Sequence, residues 1–450
     1  MSIAPADSVI RDEEIIVYGG ETKITSFFDY PFKDELLDGI ASMHYEKPSK
    51  IQEFAIPILL KGKDLVMQSQ SGSGKTMAFL LSALQKIDYT TPQCQVVIIL
   101  NTRELTRQTA DVFDLLTEQI ETATRLICLP GYEIQDTCAQ FYIGTALSVQ
   151  KAMMQGMEEQ KFNPNDVKFF IVDEADAILD DTPMDATTMT PYTCLKNIKQ
   201  ILPTTVQTIL VSATHPQNMA RLEKYFVKSD HATILINQDE VPKSIRQLFV
   251  VSPLNQRAQN LLEVVKVLSR VNPSQNSVDV LEMGVGQAII FVNRKEEAVM
   301  LCQFLNTNGI PSGILMSGDN TMRDDMIDAF RGFKIRYLIT TDVIARGIDI
   351  LTVNFVVNFS IPVSYPTKCF DVTTYIHRVG RTGRIGMKGI ALSFLDPSQK
   401  KEFVDKTRQN MFEVDEFSMS LVDQIPKFLL ANEQHNKEIR DKYGEENLTF

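Results

Sequence analysis

The sequence predicts an α/β protein of two units, each a parallel β-sheet covered by helices on both faces. Three observations predict it. Short runs that are apolar on both faces alternate with helix-period patterns along most of the 450 residues, as parallel strands buried on both sides require. The alternation breaks at Asn237-Gln238-Asp239-Glu240-Val241-Pro242-Lys243, a polar, proline-containing stretch that reads as an interdomain linker. A second series of the same kind follows it. The expected division is a 1–25 N-terminal extension, a 26–237 first domain, a 238–245 linker, a 246–430 second domain and a 431–450 charged tail.

In chain order, the polar, acidic start around Arg11-Asp12-Glu13-Glu14 reads as a mobile extension. Leu36, Leu37, Ile40 and Met43 recur at helical spacing, and Phe54, Ile56, Leu59 and Leu60 form a second apolar face. Strands are expected at Asp64–Met67, Val96–Leu100, Arg125–Cys128, Phe141–Gly144, Phe169–Val172, Thr208–Val211 and Ala232–Ile236. The second half offers Arg246–Val251, a helix from about Gln256, then Ala288–Val292, Ile314–Met316, Tyr337–Thr340, Phe355–Asn358 and Ile390–Phe394.

Composition narrows the function classes. Hydrophobic content of 44% and charged content of 23% are ordinary for a globular protein. A formal net charge of −12 argues against a uniformly basic nucleic-acid surface and leaves room for a local groove. The six cysteines and five histidines form no C-x-x-C pair or cluster, so no metal or disulfide framework is expected and a reducing compartment is the default. No apolar run reaches membrane-spanning length, so no membrane partner is expected.

The chemistry begins at Ser69-Gln70-Ser71-Gly72-Ser73-Gly74-Lys75-Thr76, between an apolar run and a helical pattern. Strand, glycine-rich loop and helix form the context of a phosphate-binding loop. Gly72 and Gly74 let backbone N–H groups turn towards phosphate oxygens, Lys75 reaches the β/γ-phosphates and the Thr76 hydroxyl holds Mg²⁺. Ser69 stands where the general pattern has its first glycine, and a merely flexible loop is the plainer alternative. Phe169–Val172 ends in Asp173-Glu174-Ala175-Asp176, acidic residues at the carboxyl end of a buried strand, where α/β sheets bind ligands. Asp173 is expected to hold Mg²⁺ through water, and Glu174 to orient and deprotonate the attacking water.

Ser71–Thr76 together with Asp173-Glu174-Ala175-Asp176 resembles the DEAD-box family of ATP-dependent RNA helicases, which implies two RecA-like domains. His44-Tyr45-Glu46-Lys47-Pro48-Ser49-Lys50-Ile51-Gln52 resembles the family's adenine-sensing motif, with Gln52 on the ring edge and Tyr45 and Phe27 as stacking aromatics, or as core residues. Ser212-Ala213-Thr214 resembles the motif that couples the ATP and RNA sites, through Ser212 and Thr214. In Tyr375–Arg384, Arg381 and Arg384 match the family's arginine fingers; three apart, they would share a helix face. His377 would contact the Asp173–Asp176 segment, and Gly347 and Asp349 match the motif beside the ribose.

The resemblance also implies an RNA path. Thr102 and Arg103 follow a strand and open a helix, with Asn101 where proline is usual, and Gly131 and Thr145 lie in neighbouring family motifs. Ala146-Leu147-Ser148 replaces the Pro-Gly-Arg that usually follows Thr145. Arg294, Arg323 and Thr340 match second-domain RNA contacts, a solvated surface role being the alternative for the two arginines.

Three features resemble the nuclear-pore mRNA-export branch: Gln68-Ser69-Gln70-Ser71, Leu129-Pro130-Gly131, and the insertion Val363–Asp371. That branch implies RNA or mRNP substrates, a nucleoporin anchor, an inositol-phosphate-bound activator and an autoinhibitory N-terminal segment. The expectation is a monomeric RNA-stimulated ATPase, cytoplasmic or nuclear and active at the pore. A translation-initiation-type helicase and a slow ATP-dependent RNA clamp are the alternatives.

Overall fold

The computed structural model describes residues 9–11, 15–19, 23–43, 45, 47–69, 73–134, 136–179, 190–212, 219–236, 244–270, 287–315, 320–342, 352–364, 367–383, 388–410, 412–429 and 432. The chain divides into two compact units, Met1–Gln238 and Asp239–Thr449, each built on its own sheet.

The first unit holds β1 (Val9–Arg11), β2 (Ile15–Tyr18), β3 (Leu65–Gln68), β4 (Val96–Leu100), β5 (Arg125–Cys128), β6 (Phe141–Thr145), β7 (Phe169–Val172), β8 (Gln207–Ser212) and β9 (Ala232–Ile236). They are ordered β1-β2-β9-β3-β8-β7-β4-β6-β5. From β9 to β5 every pairing is parallel. The helices are α1 (Asp34–Ser42), α2 (Lys50–Leu60), α3 (Lys75–Lys86), α4 (Arg103–Leu116), α5 (Ala146–Glu158), α6 (Ala175–Leu179), α7 (Pro191–Ile201) and α8 (Met219–Phe226). The pleat explains the two-sided apolar runs. In β4, Val96, Ile98 and Leu100 enter one core with α2 and α3, while Val97 and Ile99 enter the opposite core with α5 and α7.

The second unit holds β10 (Ile245–Val251), β11 (Gln287–Phe291), β12 (Ser312–Leu315), β13 (Tyr337–Thr340), β14 (Val353–Asn358), β15 (Gly389–Leu395) and β16 (Val414–Glu416), ordered β12-β13-β11-β14-β15-β10-β16. All these pairings are parallel. Its helices are α9 (Leu254–Arg270), α10 (Lys295–Thr307), α11 (Asn320–Arg331), α12 (Val372–Val379) and α13 (Lys400–Gln409).

The N-terminal stretch departs from expectation. β2 pairs antiparallel with β9, Ile15 opposite Ile236, and β1 extends the sheet antiparallel to β2. Ile15 and Val17 are wholly buried, so alternate residues of this acidic segment drive it onto the sheet edge. What read as a mobile extension is sheet over these seven residues. β16 was also absent from the sequence reading: Val414-Asp415-Glu416 has no apolar alternation, and its strand form comes from pairing with Gln247–Phe249. The linker residues 237–243 and the tail beyond 432 lie outside the described residues.

Candidate functional site

Three neighbouring strands, β3, β8 and β7, deliver the nucleotide-motif residues at their carboxyl ends. Met67 and Gln68 pair with Val211 and Ser212, and Ser69 N–H donates to the Ser212 carbonyl at 3.1 Å. The loop after β3 therefore sits directly beside the expected coupling serine. Gly74 has φ +91°, a left-handed value suited to glycine, and N-caps α3. Lys75 is 9% exposed and donates to the Ser69 carbonyl at 2.6 Å. Ser69 also brings its hydroxyl within 2.5 Å of the Ser73 hydroxyl. A serine where the general pattern has glycine thus helps brace the loop. Thr76 follows on the first turn of α3, half-buried.

Gln52 reaches this loop through an ordinary helix-capping device. Its Oε1 accepts from Ser49 N–H at 2.8 Å at the start of α2, and its Nε2 donates to the Gly74 carbonyl at 3.1 Å. Ser49 Oγ donates to the Ser73 carbonyl at 2.7 Å. One lone pair and one N–H of the Gln52 amide remain for a ligand. A Cβ at Gly74 would stand 2.5 Å from Gln52 Nε2, so glycine is needed there for close approach as well as for φ. Tyr45 is half-buried against the core around α1 and α2, and burial raises its phenol pKa. Phe27 is 1% exposed inside that core, the role given as the alternative to stacking on adenine.

Asp173 and Glu174 follow β7. Burial raises the Asp173 carboxyl from 3.8 to about 6, against the downward pull of Lys75. Glu174 adopts φ +48°, uncommon for a side chain of its size. Its N–H donates to Asp173 Oδ1 at 2.8 Å, while its own Oε2 is buried with no hydrogen-bond partner among the described residues. A buried carboxylate oxygen without a donor is costly in a finished fold and appropriate where a donor arrives with substrate.

The remaining edge of this sheet carries the expected RNA residues. Thr102 N-caps α4, accepting from Leu105 N–H at 3.2 Å, and Arg103 is 9% exposed, its guanidinium 5.2 Å from the Tyr132 ring centre. Gly131 turns the chain after β5 with φ +79°. Thr145 N-caps α5, and its hydroxyl donates to Ser148 Oγ at 3.1 Å. The helix begins at Ala146, the first of the three residues that replace Pro-Gly-Arg.

In the second unit, Arg294 is exposed at the N-cap of α10. Thr340 is wholly buried at the end of β13, and its hydroxyl donates to the Thr341 carbonyl at 3.2 Å. His377 lies on α12 and is 8% exposed. Arg381 lies beyond the helix, which stops at Val379 with Gly380 at its C-cap, and Arg381 Nε donates to the His377 carbonyl at 3.1 Å. Gly383 is left-handed at φ +70°, so the chain has left the helix before Arg384. Arg323 lies on α11, its side chain outside the described residues. Ser71, Gly72, Thr214, Gly347, Asp349 and Arg384 also lie outside them.

Arg378 was passed over in the sequence and is the hub of this unit. It is 1% exposed. Its Nε and Nη2 grip the Asp342 carboxylate, Nη2 at 2.7 Å. Nη2 also donates to Asn293 Oδ1 at 2.8 Å, and Nη1 to the Ser360 carbonyl at 2.6 Å. It thus joins the ends of β11, β13 and β14 to α12. The sequence held a signal: an arginine placed among apolar and small residues of a helix must find a carboxylate.

A lysine-bearing loop, a buried acidic pair and a glutamine tethered to the loop make the first unit a nucleoside-triphosphate site. Comparison with known proteins carries this further. The family model for the DEAD/DEAH box helicase matches residues 49–222, and that for the helicase conserved C-terminal domain matches residues 274–386. The chain is 35% identical over 390 residues to the ATP-dependent RNA helicase DBP5 of Meyerozyma guilliermondii, covering 86% of this chain and 75% of that one. The corresponding figures for dbp5 of Schizosaccharomyces pombe are 33% over 390 residues, 84% and 71%. The solved structure of S. cerevisiae Dbp5 bound to RNA and ADP BeF3 is similar with a TM-score of 0.78 at 31% identity, over 90% of this chain and 100% of that one. A S. cerevisiae Dbp5 variant bound to Nup159, a Gle1 variant, IP6 and ADP gives 0.60 at 30%, over 89% and 100%. The chain belongs to the DEAD-box family of ATP-dependent RNA helicases, and its two sheets are the RecA-like pair expected.

Proposed function

We propose that the first unit binds ATP at the Ser69–Thr76 loop and that its hydrolysis, stimulated by RNA, drives local duplex unwinding or removal of protein from mRNA during export from the nucleus. The observation that carries it is the placement of Lys75 after β3 and of Asp173 and Glu174 after β7, on either side of β8, with Lys75 close enough to pull on the Asp173 carboxyl and the Gln52 amide tied to Gly74. Gln52 reads adenine with its remaining N–H and lone pair, Tyr45 flanks the base, and Ser71, Gly72, Ser73 and Gly74 cradle phosphates that Lys75 neutralises.

The hydroxyl of Thr76 and the carboxylate of Asp173 are hard oxygen donors suited to Mg²⁺, and Glu174 Oε2, without a hydrogen-bond partner among the described residues, is free to accept from a water. Bound there, Mg²⁺ supplies charge neutralisation on the β- and γ-phosphates. Glu174 accepts the proton of the attacking water. By the family's motifs, charge stabilisation on the transferred phosphoryl group is assigned to Arg381 and Arg384, ribose contact to Gly347 and Asp349, and coupling to RNA to Ser212, Thr214 and His377. RNA contact is assigned to Thr102, Arg103, Gly131 and Thr145 in the first unit and to Arg294, Arg323 and Thr340 in the second, through phosphate contacts that an acidic protein can make locally.

Similarity to Dbp5 structures that contain RNA, Nup159, Gle1 and IP6 supports a nucleoporin anchor, an inositol-phosphate-bound activator and action at the nuclear pore. The test is capture of labelled single-stranded RNA by the full chain with a non-hydrolysable ATP analogue. RNA should be retained with analogue and released without it, and a matched DNA strand should be retained poorly because it lacks the 2′-OH. Equal retention of DNA would refute the assignment.

A further inference from the structure

We infer that Tyr132 is an aromatic platform on which a base of bound single-stranded RNA stacks, an inference that rests on the proposed RNA path over this sheet edge. Tyr132 follows Gly131 in the turn after β5 and is 51% exposed, among the most exposed large aromatics described. Its ring lies 5.2 Å from the Arg103 guanidinium, and its hydroxyl accepts from Arg107 Nη2 at 3.3 Å. β6 lies between β4 and β5 in the sheet. The Tyr132 side chain therefore reaches across the end of β6 to the α4 arginines, and two cations fix an otherwise mobile phenol.

Arg103 is 9% exposed beside this contact, so the ring adds an exposed aromatic surface next to the arginine. The neighbouring turn lacks the cation that the family's Pro-Gly-Arg would supply: Ser148, 7% exposed, stands at the arginine's position and Leu147, 41% exposed, at the glycine's. A ring held on one side by arginine and open on the other suits a base of any identity, because every base has a π-face. RNA held by this edge thus gains a base contact beside its phosphate contacts.

The experiment measures affinity of the full chain, with a non-hydrolysable ATP analogue, for an oligouridylate and for the same strand carrying single abasic positions. Tyr132→Ala should weaken binding of the intact strand about 5- to 100-fold, while Tyr132→Phe stays within about twofold. One abasic position should weaken wild type to the same degree and leave Tyr132→Ala unaffected, the non-additivity expected of a direct contact. The slope of affinity against salt should be the same in wild type and Tyr132→Ala, since stacking neutralises no phosphate. Melting temperature and nucleotide affinity equal to wild type establish that the variants are folded. Additive losses, or a shallower salt slope in Tyr132→Ala, would overturn stacking in favour of an effect through Arg103 and Arg107. Wild type that fails to bind RNA would instead refute the RNA path itself, whereas tight binding by wild type and Tyr132→Ala alike would refute only the platform.

Discussion

Replacing Arg378 by lysine keeps the charge and removes the fork. In the folded chain the guanidinium makes five hydrogen bonds: two to Asp342 and one each to Asn358, Ser360 and Asn293. An ammonium on a shorter reach satisfies two or three of them and leaves polar atoms of β11, β13 and β14 without donors. Breaking a buried charge pair costs about 3–5 kcal/mol, and the low end applies because the Asp342 side chain is 26% exposed and partly rescued by water. For a unit of roughly 200 residues each kcal/mol moves the melting point about 2–4 °C, so the second unit should melt about 6–12 °C lower. Calorimetry should show two transitions, with that of the first unit unmoved. Because Arg378 lies between His377 and Arg381, RNA-stimulated ATPase should fall even well below the new melting point. A melt within about 2 °C of wild type for Arg378→Lys would refute the hub.

Asp173→Asn should abolish ATPase yet stabilise the nucleotide-free protein near neutral pH. A carboxyl raised from 3.8 to about 6 binds its proton more tightly folded than unfolded, so stability falls as pH climbs through that window. Above it the charged form costs on the order of 3 kcal/mol, which asparagine relieves. Melting curves at several pH values should show the gain vanish towards pH about 4, and no gain at neutral pH would contradict the burial argument. Ile15→Ala should cost the first unit about 2–4 kcal/mol in denaturant titration; a change below about 0.5 kcal/mol would mean that β2 does not contribute to the core.

Sequence legibility followed the physics of burial. β4, β7 and β13 match their sequence-read bounds because both faces of an interior parallel strand must be apolar, which leaves a continuous run. β1, β2 and β16 escaped because strands at or next to a sheet edge need burial on one face at most, and pairing, which no local pattern records, decides their form. Lys75, Asp173 and Glu174 were legible because phosphate and metal chemistry restrict residue type and spacing. The Ser49–Gln52 tether shows the opposite case: a capping box was visible in the sequence, but that it would grip the Gly74 carbonyl was not. Arg378, Tyr132 and the burial of Phe27 depend on contacts across many residues, and the helix read through Arg381 stopped at Gly380 because a C-cap overrode the periodicity.

Phosphate release by the full chain, with and without saturating single-stranded RNA, in wild type and Glu174→Gln, tests the central claim most directly. Wild type should hydrolyse ATP slowly alone and several-fold faster with RNA, and Glu174→Gln should bind ATP with near-normal affinity yet turn it over at least about a hundredfold more slowly. Hydrolysis indifferent to RNA, or undiminished in Glu174→Gln, would contradict the account.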